Sequence, residues 1–284
     1  MIIVEIIAIG LVHTVAAIVL PGLSILALTG GIIPIAQQEN VGCTGAGRLA
    51  KVIAVGFLVS YLVFLMESAI AVLAPAYSVV AVSFGYLVLL VLFALVLIRD
   101  RPRARLFDIV DSIVCDIRRA DNALVLAISF AAGAMAVIKY PNVLDSGQLA
   151  WTKELIHGDE LGSRLSILSS SGAIGYSALI FPPGVLFRNI PLVTLASGFK
   201  VLLGGMLGLA CILVVENLGF RCKLLSKIAL VSLVILSYFG QVGFMELGKD
   251  SSFGVAFSFL FFAFTADRNM SWSGDFAVGV STSV

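Results

Sequence analysis

Long apolar runs without strand-like alternation recur along this chain, at about residues 2–36, 52–73, 79–98, 123–138, 201–215 (extendable to 220), 228–244 and 253–266. Runs of about 20 apolar residues cross the hydrocarbon core of a bilayer as helices. Inside lipid every backbone amide must find its partner within its own segment or a closed sheet. The runs are continuous, so a closed barrel of alternating strands is excluded. The composition agrees: 60% of residues are hydrophobic and 12% charged, against about 25% charged in soluble domains. The expected fold class is all-α, a polytopic integral membrane bundle of about seven spans. An outer loop would carry short juxtamembrane helices.

The expected organisation is N-terminal membrane helices over 1–98, a cytoplasmic amphipathic basic helix over 99–121, a membrane core over 122–266 and a polar tail over 267–284. The first run is too long for one upright helix at about 1.5 Å per residue. With Pro21-Gly22 and Gly30-Gly31 inside it, it reads as one broken, tilted span or as two short limbs around Pro21. The N-terminus has no basic stretch and no small-residue cleavage site, so this run is expected to be retained rather than removed as a signal peptide.

Residues 99–121 differ from the rest. Arg99, Arg101, Arg103, Arg105, Arg118 and Arg119 alternate with Asp108, Asp111, Asp116 and Asp121. Leu106, Ile109, Val110, Ile113, Val114 and Ile117 recur at three- and four-residue spacing, the signature of a helix with one apolar face. Such a helix lies along a membrane surface with its arginines among the headgroups. If it is cytoplasmic, that side collects twelve of the eighteen basic residues: these six with Arg48, Lys51, Arg221, Lys223, Lys227 and Arg268. The other side collects Lys139, Lys153, Arg164, Arg188 and Lys249. Cationic residues favour the cytoplasmic side, so the expected location is a multi-pass cell-membrane protein with loop 140–191 outside. Seven spans then place the N-terminus outside too, unless the first run is re-entrant.

Net charge is +1 and no basic face is large enough for a phosphate backbone, which excludes nucleic acid as a partner. Cys43, Cys115, Cys211 and Cys222 lie far apart with no ligand spacing and read as small apolar filler.

The long polar interval, 140–191, holds the residues best placed for chemistry. It opens with Tyr140-Pro141-Asn142-Val143-Leu144-Asp145-Ser146-Gly147. A carboxylate at Asp145, fixed just after a membrane helix, suits a general base taking a proton from an acceptor hydroxyl. The same group is placed to help hold a divalent cation; it also suits a plain helix cap. Lys153 lies in the short helix expected over 148–157. His157-Gly158-Asp159 ends it, and Tyr176 and Phe181-Pro182-Pro183-Gly184 return to the boundary where aromatic rings settle. Lys200 opens the run at 201 as either a snorkelling anchor or a contact for a phosphate. Asp250, in the short turn 245–252, is a second carboxylate on the same side, or a cap for the last helix. His13 and Glu67 lie inside apolar runs, where ionisable groups face protein or a wet cavity.

The order of these parts resembles the first external loop of the GT-C membrane glycosyltransferases, the class of the protein O-mannosyltransferase and aminoarabinose-transferase relatives. The shared pattern is a membrane helix, an early acid, a short helix ending in Glu154-Leu155-Ile156-His157-Gly158-Asp159, then Tyr176 to Gly184 and a basic residue opening the next span. It covers about 123–266. The resemblance implies Asp145 as the active-site acid, Asp250 as an assisting acid and Lys200 as a phosphate contact. His157, Tyr176 and Lys153 would line the substrate site. It also implies a polyprenyl-phosphate sugar as donor. Two features depart from the class. Asp145 is followed by Ser146 where many relatives have paired acids, and the spans number seven where the class has eleven or more. The departures are those of a truncated relative, a fragment or one subunit of a split assembly, the last of which implies a partner membrane subunit. They also leave two competing readings, a non-catalytic subunit or scaffold and a small-molecule or lipid transporter, the latter resting on His13 and Glu67.

Overall fold

The computed structural model describes residues 2–29, 45–139, 152–153, 156, 181–217 and 222–241. All the elements they form are helical. They are α1 (Ile2–Thr14), a π turn (Val15–Val19), α2 (Leu20–Thr29), α3 (Gly45–Leu73) and a 3-10 turn (Pro75–Tyr77). Then come α4 (Ser78–Ile98), α5 (Asp100–Ile117), α6 (Ala120–Lys139), a short helix α7 over 181–186, α8 (Leu192–Asn217) and α9 (Lys223–Gln241). Three stretches, Ile7–Thr29, Gly45–Leu73 and Pro75–Ile98, are long and apolar enough to cross a membrane. Ala120–Met135 and Gly204–Glu216 are shorter apolar helices. The run at 253–266 lies outside the described residues.

The exterior supports a hydrocarbon solvent. Along α4, Val80, Phe84, Leu87, Val88, Leu90, Val91 and Leu95 are all exposed. A surface helix of a soluble domain turns such residues inward and charge outward. Here the exposed face is as apolar as the buried one, which consists of Ser78, Ala81, Val82, Gly85, Leu89 and Val96.

The first run corrects one expectation. It is neither broken at Pro21 nor folded into two limbs; helix continues from Ile2 to Thr29. Proline lacks an N–H and its ring crowds the carbonyl four residues back. The π turn just ahead widens the helix there, with the Leu20 N–H reaching back to the Val15 carbonyl. Hydroxyls also bond backbone carbonyls within the helix: Thr14 to Gly10 at 2.7 Å, Ser24 to Leu20 at 2.7 Å and Thr29 to Ile25 at 2.6 Å. In a solvent without hydrogen-bonding capacity, a local π adjustment of this kind lets proline stay inside a helix.

Helix starts also differ from those read in the sequence. α3 begins at Gly45 rather than 52, because the Asp116 carboxylate of α5 accepts the Ala46 N–H at 2.7 Å. That acid satisfies one of the orphan amides of the first turn and complements the positive end of the helix dipole. Replacing Asp116 by alanine is expected to lower stability by about 1–2 kcal/mol. Asp116→Asn should recover part of that loss in thermal melts of the detergent-solubilised protein. The basic segment is not one helix over 99–121: α5 ends at Ile117 and α6 starts at Ala120. Its apolar face is as expected, with Leu106, Ile109 and Ile113 buried.

Two cores result. One joins α2 to α5 through Leu26, Ala27, Val52, Val96, Leu106 and Ile109. The other joins α3, α6, α8 and α9 with the π turn, through Ala17, Ile18, Ala50, Phe64, Val125, Met206, Ala210 and Val231. α2 and α3 cross almost in backbone contact: Gly22 lies against the Val52 carbonyl, and Gly56 against the Ile18 carbonyl. Neither position has room for a Cβ. Small residues allow this approach where membrane helices pack.

The contacts also sort the bundle into two ends. Asp116 with Ala46, and Arg105 with the Ala27 carbonyl at 3.5 Å, gather one end. At the other, the Arg188 guanidinium donates to Ser78 Oγ at 3.3 Å, and Phe181 and Val185 pack on Ala71, Val72 and Val82.

Candidate functional site

At this second end, α1, α4 and the segment 183–187 enclose an open groove of about 570 Å³. Its walls are Ala8, Ile9 and Val12 from α1, Ala16 from the π turn, Leu90 from α4, and Pro183, Leu186 and Phe187. Three polar side chains interrupt them: His13, Ser83 and Tyr86. Pockets of this size, mainly apolar with a few convergent polar groups, are usual ligand sites.

His13 is placed by its neighbours rather than by solvent. It is buried, stacks on Phe64 at 5.8 Å between ring centroids, meets Tyr86 edge-on at 5.8 Å, and its Nδ1 shares a hydrogen bond with the Tyr86 hydroxyl. Glu67 of α3 lies close behind this pair. It is 3% exposed, and neither carboxylate oxygen has a hydrogen-bond partner among the described residues. Gly85 makes its place: a Cβ there would overlap Glu67 Oε1. The expectation that ionisable groups inside apolar runs face protein or a cavity holds for both, with His13 at the groove wall and Glu67 one layer deeper. Tyr86 and Gly85 were not singled out from the sequence. The available signal was a Gly-Tyr pair interrupting an aliphatic run.

A second polar cluster ties the opposite end together. Lys227 of α9, fully buried, donates to Asp121 Oδ2 at 2.8 Å, to Glu216 Oε1 at 2.9 Å and to the Asn122 side-chain oxygen. The Asn122 amide in turn donates to the Asp116 carbonyl at 3.0 Å, and Arg119 pairs with Asp116 and Asp121 at 3.4 and 3.5 Å. Burial alone would raise the Asp121 carboxyl above its ordinary value. The hydrogen bond and charge of Lys227, with help from Arg119, reverse this and hold it below that value. Lys227 and Lys51, counted with the basic surface of the chain, are in fact buried. Lys227 therefore serves as a structural cation as well as an orientation signal.

Of the residues proposed from the sequence, Asp145, His157, Tyr176 and Asp250 lie outside the described residues. Lys153 is exposed. Lys200 does not open a helix, because α8 starts at Leu192. It sits eight residues (200 − 192) inside, roughly 12 Å along the axis. Cys211 is buried as apolar filler, whereas Cys115 and Cys222 are exposed. Among the described residues no cluster of three or more His, Cys, Asp or Glu side chains could hold a metal ion. No protein-family model matches the chain, and no curated protein or solved structure does so either.

Proposed function

We propose that the chain is a multi-pass membrane glycosyltransferase of the GT-C type, moving a sugar from a polyprenyl phosphate to an acceptor at the outer membrane face. In this reading the protein spans seven times, with the N-terminus and loop 140–191 outside and the end holding α5 in the cytoplasm. The observation that supports it is the position of the groove. Its wall is partly built by Pro183, Leu186 and Phe187, where the chain returns from the polar interval that carries Asp145. A lipid chain lying between α1 and α4 would deliver its phosphate to that interval. Asp145 takes the acceptor proton, Asp250 assists, and Lys200 is the proposed phosphate contact, with His157, Tyr176 and Lys153 as the proposed sugar contacts. A divalent cation held by Asp145 and a partner membrane subunit complete the proposal.

The test is reconstitution of the purified protein with a panel of polyprenyl-phosphate hexoses and pentoses. Asp145→Asn keeps size and capping ability but removes the base. Its transfer rate is expected to fall by about 10²-fold or more, the usual contribution of a positioned base. Ala16→Trp fills the groove and is expected to raise KM for the lipid donor while leaving kcat near that of the parent. Transfer unaffected by Asp145→Asn would end the enzyme reading.

A further inference from the structure

We infer that Glu67 is an intramembrane proton-exchange site, reached from the groove past the His13–Tyr86 pair. This goes beyond sugar transfer, which needs no titratable group within the bundle.

The argument begins with fit. Glu67 is nine-tenths buried and more, and its two oxygens meet no hydrogen-bond donor among the described residues. Burying an ionised carboxylate without a partner is far costlier than burying the acid. Among the described residues no Lys or Arg pairs with it, unlike the opposite end, where Lys227 has two carboxylates. Among the described side chains, α1 offers His13 and α4 offers Tyr86, and neither is a permanent cation. The surroundings are also filled. Gly85 is in contact with Oε1, and Glu67 lines neither described cavity. Neither described cavity reaches the carboxyl, so the ligand that fits there is a proton.

Access is the second observation. His13 and Tyr86 are hydrogen-bonded to each other and both line the open groove. An imidazole and a phenol can each accept a proton on one side and release one on the other. The carboxyl abuts Gly85, the neighbour of Tyr86 in α4, and a rotamer change that brings it to this pair would let water in the groove exchange a proton with Glu67. Ionisable groups inside membrane segments mark such relays. A ligand that seats in the groove and shifts the His13–Tyr86 contact would then take up or release one proton.

Infrared difference spectroscopy of the full chain in lipid nanodiscs tests this directly. A neutral carboxyl has a C=O stretch separate from the amide bands, and Glu67→Gln removes the contribution of this residue alone. The expected result is a neutral-carboxyl band in the parent that is missing in Glu67→Gln and disappears as pH is raised. In deuterated buffer the band should shift, and the shift should slow several-fold in Ala16→Trp, where the groove is filled. A Glu67 band absent at every pH, present unchanged at every pH, or exchanging equally fast in Ala16→Trp would overturn the inference. The measurement uses no sugar donor, so failure of the glycosyltransferase reading leaves it standing, and the reverse.

Discussion

Replacing Lys227 by methionine should destabilise the bundle by about 3–5 kcal/mol, the usual result of removing one member of a buried ion pair. Methionine matches the length of the lysine stem, so the lost packing is small and the effect is electrostatic. The ammonium satisfies three acceptors at once, and two of them are carboxylates. Without it Asp121 retains Arg119 at 3.5 Å. Glu216 is left worse: its side chain is 4% exposed, and Oε2 already has no partner among the described residues. The remedy follows from the cause. Adding Glu216→Gln and Asp121→Asn to Lys227→Met removes both stranded charges and should restore most of the loss, because a neutral substitute for a buried ionic cluster is often no less stable.

The pH dependence has a definite sign. The folded Asp121 carboxyl titrates below its ordinary value. Its contribution is therefore complete above the ordinary carboxylate range and is lost as pH falls through the depressed folded value. Lys227→Met should flatten that acid limb of the melting curve. Coincident melts for the parent and Lys227→Met, over the whole acid range, would show that the cluster stabilises nothing.

That cluster was not legible in the sequence, and the reason is physical. Its members lie 106 and 11 residues from Lys227, so no local spacing announces them. A lysine near the end of an apolar run reads equally well as an interfacial anchor. The apolar face of α5 was legible because it depends on local periodicity: Leu106, Ile109 and Ile113 recur at helical spacing and are buried. The positions of α4 and the core of α3 were legible for a related reason, since hydrocarbon length alone defines them. The ends were less so. Asp116 extends α3 back to Gly45 from another helix, and Leu192 starts α8 well before Lys200. Both boundaries depend on tertiary contacts or on residues of mixed character. At the site, His13 and Glu67 stood out as ionisable groups in apolar surroundings, but the groove arises from the relative placement of α1, α4 and the segment after 181. Composition carries no such information. Pro21 misled for a different reason: it reads as a break under aqueous rules, while the π turn at Val15–Val19 accommodates it.

The crossing of α2 and α3 should be the least tolerant place in the molecule, and Gly56→Leu is expected to abolish the native bundle. A Cβ at Gly56 would overlap the Ile18 carbonyl, and one at Gly22 would overlap the Val52 carbonyl. Both obstructions are backbone, so no side chain can swing aside. Relief requires separating the helices, and separation loosens both cores. Ile18 belongs to one, with Ala17 and Phe57; Leu26, Ala27 and Val52 belong to the other. Overpacking a well-filled site costs typically 1–3 kcal/mol when neighbours can adjust. Here adjustment means moving a whole helix, and losing the close contact forfeits the dispersion that holds membrane helices together. Gly56→Ala should already lower the melting temperature, and Gly56→Leu should yield protein that aggregates on detergent extraction. Gly22→Ala should behave like Gly56→Ala, because each glycine admits the other's helix. Leu62→Ala provides the contrast on the same helix: its side chain is 53% exposed and should tolerate truncation with little change in melting. Size-exclusion profiles and melts of the four variants would decide the matter, and a monodisperse Gly56→Leu protein melting with the parent would refute the packing described for α2 and α3.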